Sequence, residues 1–164
     1  MLFEIKGICQ NCAEDANVLV HNGVPKSQCG SCDEDPFEIE VITGVVYIVK
    51  NDNQVGLKIG QTSKTVEQRC KQLASTGVPG MFYPIAIFPS TNPRKHEKRV
   101  HDKLLNKNIA KEHFDLEPIE AVLKVYRTLN KKIKPIFYDE DIKERFFLEL
   151  EKAKIEMKIK LKGK

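Results

Sequence analysis

The chain has 164 residues, 41% hydrophobic and 30% charged, with a net charge of +4. This is a soluble globular composition, long enough for one ordinary domain and a small appendage. No apolar run approaches the roughly 20 residues that span a bilayer, which excludes a membrane-spanning helix. The start, MLFEIKGIC, lacks the basic region and long apolar stretch of a signal peptide, so a cytoplasmic protein is expected. The charge is uneven. Residues 1–40 hold two basic against eight acidic residues, residues 41–129 fourteen against eight, and residues 130–164 eleven against seven. A basic excess in the middle and tail fits a polyanion partner, and also fits a merely solvated surface.

Residues 1–40 carry two cysteine pairs, Cys9-Gln10-Asn11-Cys12 and Cys29-Gly30-Ser31-Cys32, with sixteen residues between Cys12 and Cys29. Two residues between cysteines let both thiolates of a tight turn point at one ion, and two such turns complete a tetrahedron. Gly7 and Gly30 suit sharp turns, and ANVLVHNG reads as a strand entering a turn. The segment is expected to be a zinc ribbon with a closed, structural Zn²⁺ site on Cys9, Cys12, Cys29 and Cys32. About forty residues cannot bury a sufficient core, so the metal would fold the piece. Disulfides and a dithiol redox centre are the competing readings, and His21 is an alternative ligand. The acidic balance of this segment suits a protein partner or an orienting role better than phosphate contact.

Residues 43–50, TGVVYIVK, and 55–60, VGLKIG, flank NDNQ and predict an antiparallel hairpin. Alternation puts Val46 and Ile48 on one face and Val45, Tyr47 and Val49 on the other. In the second arm Leu57 and Ile59 share one face, Lys58 and Gly60 the other, so Tyr47 and Lys58 can lie on the same side. A helix follows in SKTVEQRCKQLAST, with Val66, Cys70, Leu73 and Ala74 at helical spacing, Ser63 or Thr65 as cap and Arg69 beside the apolar stripe. Gly77, Pro79 and Gly80 end it. MFYPIAIFPS is a third strand. TNPRKHEKRVHDKLLNKN is a second helix, with Asn92 or Thr91 as cap, Pro93 at its first position, and Val100, Leu104 and Leu105 facing inward. Glu97 and His101 are four apart and share a face. EPIEAVLKVYRTLN is a third helix. Residues 43–130 are therefore an α+β domain in the order β-β-α-β-α-α, a three-stranded antiparallel sheet with flanking helices. Gly60 reads as backbone permissiveness at a strand end, and Cys70 as a small core residue.

The basic tail, residues 131–164, is entered through a linker that starts at Asn130, NKKIKPIFYDED. Ile142, Phe146 and Leu150 are four apart and predict a helix from about Asp139. From Ile155, IEMKIKLK alternates strictly, which suits a strand as well as a helix. This basic tail could add phosphate contacts or act as a packing or oligomer helix.

The order of these features resembles the GIY-YIG nuclease superfamily. Val45-Val46-Tyr47 stands at its first motif and Lys58-Ile59-Gly60 at its second, Arg69 matches its arginine and Glu97 its metal-binding glutamate. KIGQT, RCKQLASTGVP, the Glu97-to-His101 spacing and KEHFDL are similar, more closely, to the DNA-binding family named after an open reading frame of phage T-five. The resemblance covers residues 43–127. The superfamily usually has tyrosine where Lys58 stands and an asparagine late in the domain, where this chain reads Glu112-His113-Phe114.

Phosphodiester hydrolysis needs an activated water, charge stabilisation and help for the leaving oxygen. The resemblance implies a Mg²⁺- or Mn²⁺-dependent endonuclease with Tyr47 as base or water-orienting group and Lys58 as electrostatic aid. Arg69 would be the phosphate clamp and Glu97 the metal ligand, with His101 as a further candidate. Arg94, Lys95, Lys98 and Arg99 would contact DNA phosphates. The alternative is a DNA-binding module that does not cut, with the zinc ribbon as an interaction arm. Tyr47 also reads as an ordinary amphipathic strand residue, Arg69 as a surface arginine and Glu97 as an ion-pair partner for its basic neighbours.

Overall fold

The computed structural model describes residues 1–74, 79–130 and 133–162, and the chain divides into two compact units, Met1–Val41 and Ile42–Lys164. In the first unit β1 (Leu2–Ile8) pairs antiparallel with β2 (Asp15–His21), which pairs with the two-residue β3 (Val24–Pro25). Alternation in β2 buries Ala16, Val18 and Val20 and exposes the residues between them. The turn into β3 is made by Asn22 and Gly23, both at positive φ.

The second unit holds β4 (Gly44–Asn51), β5 (Leu57–Thr62), α1 (Val66–Ala74), β6 (Phe82–Ser90), α2 (Pro93–Lys103), β7 (Asn108–Ala110), β8 (His113–Phe114), α3 (Pro118–Thr128), β9 (Ile136–Phe137) and α4 (Glu140–Lys162). The expected β-β-α-β-α-α order is present in β4 to α3, but the sheet is larger than the three strands expected. It has six strands in the order β7-β8-β5-β4-β6-β9, every pairing antiparallel. The three additional strands are two or three residues long, too short for alternation to reveal.

The register pairs Tyr47 with Gly60, Ile48 with Ile59 and Val49 with Lys58. One face of the sheet, with Val46, Ile48, Leu57 and Ile59, is covered by Val100 and Leu104 of the α2 region, Val122 and Val125 of α3 and Phe146 of α4. The other face packs Tyr47, Val49 and Phe82 against Val66 and Cys70 of α1. Both faces are therefore covered. Leu105, expected inward, is exposed because α2 ends at Lys103 and a short 3₁₀ turn, Leu105–Lys107, re-aims the chain.

Thr65 Oγ1 accepts the Gln68 N–H at 3.3 Å and starts α1; Asn92 Oδ1 accepts the Lys95 N–H at 3.2 Å and starts α2 with Pro93 behind it. Of the residues expected to end α1, Gly77 lies outside the described residues, while Gly80 sits at φ +87. The tail is one helix through Lys162. Glu, Lys, Met and Leu are good helix formers, and a helix already nucleated by Ile142 and Phe146 propagates through them more readily than a new strand begins. Residues 163–164 lie outside the described residues. Among the described residues no helix is long and apolar enough to cross a membrane.

Candidate functional sites

The four cysteines come together. Cys9 Sγ lies 3.8 Å from Cys32 Sγ and Cys12 Sγ 3.7 Å from Cys29 Sγ, and all four sulfurs are within 4.8 Å of one another. All are free thiols. A tetrahedral ion about 2.3 Å from each thiolate spaces its sulfurs about 3.8 Å apart, so the donor set fits one metal ion. Two turns of matching construction aim the thiols. Cys9 N–H donates to Glu14 O at 2.8 Å and Ala13 N–H to Cys9 O at 2.9 Å. Cys29 N–H donates to Glu34 O and Asp33 N–H to Cys29 O, both at 2.9 Å. The left-handed residues are Ala13 and Asp33, at φ 62 and 57, and not the expected Gly7 and Gly30. The backbone N–H groups of Ser31 and Cys32 hold the Cys29 thiol down at about 7, which favours its thiolate. His21, at the exposed end of β2, is not part of this cluster.

The second site is built around Tyr47. Its ring is fully buried, and it lies across the backbone of Gly60, its partner in the ladder. A Cβ on Gly60 would stand 2.5 Å from Tyr47 Oη and 2.7 Å from Cζ. Gly60 is there because the tyrosine ring occupies the space of a side chain, which replaces the expected reading of a permissive strand end. Arg69 Nε–H, reaching in from α1, donates to Tyr47 Oη at 3.3 Å. Burial pushes the Tyr47 phenol up, and the Arg69 guanidinium only partly offsets it.

Arg69 also lines a groove of about 520 Å³ between the start of α1 and the start of α2, with Lys64, Arg94, Thr62, Asn92 and Gln61. The first turn of α2 holds no acidic residue, so the positive end of the helix dipole is not offset there. Gln61 connects the groove to Glu97, since it lines the groove and its backbone N–H lowers the Glu97 carboxyl. Glu97 is half-buried on α2. Burial pushes its carboxyl up and Glu112 adds to this, while His101, Lys58 and the Gln61 N–H pull the other way. Glu97 makes no ion pair among the described residues, despite the basic residues around it on α2.

Lys58 is pointed to the Tyr47 side of the sheet, and its ammonium is paired with the Glu112 carboxylate. His101 is anchored: Nε2–H donates to Ile59 O at 2.9 Å, and its ring packs 5.0 Å from that of Phe114. Arg94, Lys95, Lys98 and Arg99 are all exposed on α2; Arg94 reaches the groove, and Arg99 Nη2 donates to Asn130 Oδ1 at 2.9 Å. Tyr47, Lys58, Arg69 and Glu97, spread over fifty residues of sequence, thus share one polar neighbourhood. Sequence reasoning missed Glu112 as a member. The signal in the sequence is its place before His113 and Phe114, where an acid stands in the region of the expected asparagine.

The fold and this neighbourhood define an α+β unit with a buried tyrosine, an arginine-lined groove and an acidic residue at its back, joined to a four-cysteine unit. The T5orf172 domain matches residues 44–130, and the chain belongs to that family. No curated protein and no solved structure matches it.

Proposed function

We propose that this chain binds DNA through unit Ile42–Lys164 and hydrolyses phosphodiester bonds in a Mg²⁺- or Mn²⁺-dependent reaction, with one structural Zn²⁺ on Cys9, Cys12, Cys29 and Cys32. Membership of the T5orf172 family supports the nucleic-acid reading. The observation that carries it is the groove: Arg69, Lys64 and Arg94 line one cavity, and Glu97 stands behind its Gln61 wall without a cation of its own. A guanidinium grips two phosphate oxygens. A carboxylate beside it repels the same phosphate unless a cation lies between them. Glu97 is therefore the residue that would hold the ion, whose chemistry is to neutralise charge on the phosphoryl oxygens. Tyr47 holds Arg69 in place through its hydroxyl; with its phenol pushed up by burial it is poorly suited to be the base. His101 fixes β5 against α2 and so sets where Lys58 and Gly60 fall.

The second reading, DNA binding without cutting, is favoured by one observation. Both helpers expected around the water are already engaged, Tyr47 with Arg69 and Lys58 with Glu112. Supercoiled DNA incubated with the protein and Mg²⁺ or Mn²⁺, beside Glu97→Ala, separates the two. Nicking that Glu97→Ala abolishes while binding persists supports hydrolysis. If neither protein cuts any form of DNA, and Glu97→Ala binds as well or better, the binding module stands.

A further inference from the structure

Lys58 occupies a position where a lysine is costly. Its neighbours in the sheet are Val49 on one side and His113 on the other, and its side chain is only 10% exposed. An ammonium removed from water to this degree needs an anionic partner. That partner, Glu112, is tied to the same strand twice. Its carbonyl accepts the Ile59 N–H at 3.0 Å, and its carboxylate meets the Lys58 ammonium. The turn that presents it is braced as well, with Lys111 at φ 50 and Asn108 Nδ2 donating to Lys111 O at 2.7 Å. Glu112 is not a surface acid that happens to meet a lysine. Its backbone is pinned to the strand that carries the lysine.

Glu97 stands in contrast. It shares α2 with Arg94, Lys95, Lys98 and Arg99, yet no ion pair to it forms among the described residues. The charges it does feel are Glu112, then His101 and Lys58. With Glu112 absent, the Lys58 ammonium would be left nearly buried, and Glu97 is a carboxylate within its field. A long, flexible lysine would turn to it, and Glu97 would be closed to any other cation.

We propose that Glu112 is a positioning residue, whose ion pair with Lys58 keeps that ammonium away from Glu97 and so leaves Glu97 open to a divalent cation. The proposal rests on the reading of Glu97 as the cation-holding carboxylate. It explains why a site that gains nothing from added negative charge near phosphate carries a second acid, and why that acid is fastened by its backbone.

A stability cycle on the full chain tests it without requiring activity. Glu97→Gln is measured by urea unfolding in three backgrounds: the parent, Glu112→Ala, and Glu112→Ala with Lys58→Met. If Lys58 turns to Glu97 once Glu112 is lost, Glu97→Gln is harmless in the parent, damaging in Glu112→Ala, and harmless again when Lys58→Met is added. A purely structural Glu112–Lys58 pair gives the same Glu97→Gln effect in all three backgrounds, and that result overturns the proposal. Calorimetric titration with Mn²⁺ reads the consequence: Glu112→Ala binds about tenfold more weakly than the parent as its site carboxylate is taken up, and adding Lys58→Met restores binding. Mn²⁺ affinity unchanged by Glu112→Ala also overturns it. If the parent binds no Mn²⁺ that Glu97→Gln removes, the metal reading of Glu97 fails, and the stability cycle alone decides the role of Glu112.

Discussion

The two units of this chain bury themselves by different means. In Met1–Val41 the buried cluster is Cys9, Ala16 and Cys29, with Cys12, Cys32 and Phe37 packed on it, and Leu2, Phe3 and Ile8 remain exposed. In Ile42–Lys164 aliphatic and aromatic residues from the sheet interdigitate with three helices on one face and one on the other. A small core of four thiols beside Ala16, Val18 and Val20 depends on whatever holds the sulfurs together, whereas an interdigitated core is held by its own contacts. The largest expected effect follows. If the proposed Zn²⁺ holds the four thiols, stripping it with a strong chelator, or Cys29→Ser, is expected to unfold Met1–Val41, because apparent binding energies of about 10–16 kcal/mol are folding energy in such sites. Amide hydrogen exchange is expected to show β1 and β2 unprotected and β4, β5 and β6 unchanged. Protection of β1 and β2 that survives the chelator would erase the contrast between the units.

The reciprocal perturbation strikes the larger unit alone. Gly60→Ala drives a Cβ against the phenol end of Tyr47, and overpacking of this kind costs about 1–3 kcal/mol. Adding Tyr47→Phe removes the hydroxyl contact at 2.5 Å but leaves the ring carbon at 2.7 Å, so the double variant recovers only in part. Urea denaturation followed by a probe in the second unit checks both expectations.

This pair of residues also shows how far the sequence could be read. The period of two placed Tyr47, Val49, Lys58 and Gly60 on one face, because a strand buried on both sides still alternates. Helical spacing placed Arg69 beside the stripe that Val66 and Cys70 bury, and the cysteine spacing placed four thiols at one point. What could not be read was anything set by a long-range pairing of very short strands. Glu112 belongs to a turn between strands of three and two residues, and its partner Lys58 is fifty-four positions away. In sequence it is one acid among several in KEHFDLEPIE. The role of Gly60 was similarly hidden: alternation placed it on the Tyr47 face, but not the ring lying over it.

A smaller effect concerns binding. Arg69→Ala removes one phosphate grip from the groove and is expected to weaken DNA binding about tenfold and to lower the salt slope by about one. Tyr47→Phe frees the guanidinium without removing it, so the affinity falls less and the slope stays. Binding measured over a salt series distinguishes the two. A slope that Arg69→Ala leaves unchanged would remove Arg69 from the interface.

The smallest effect sharpens the comparison through pH. Glu97 has its carboxyl raised above the ordinary 4.5, by burial first and by Glu112 next. An acid whose folded-state pKa lies above its unfolded value penalises the fold when ionised. The penalty is complete above the folded pKa and gone below 4.5. Glu97→Gln is therefore expected to be slightly more stable than the parent at neutral pH, with the gap closing as pH falls through the raised pKa. Added Mg²⁺ or Mn²⁺ closes or reverses the gap at neutral pH, since only the parent offers a carboxylate to the ion. The cysteine unit is expected to respond in the opposite sense, because protonation of thiolates would release the proposed Zn²⁺. One acid titration followed residue by residue thus relieves a strain in Ile42–Lys164 while it dismantles Met1–Val41. If Glu97→Gln is less stable than the parent at neutral pH without added metal, the Glu97 carboxylate is stabilising the fold, and its place as an open ligand is lost.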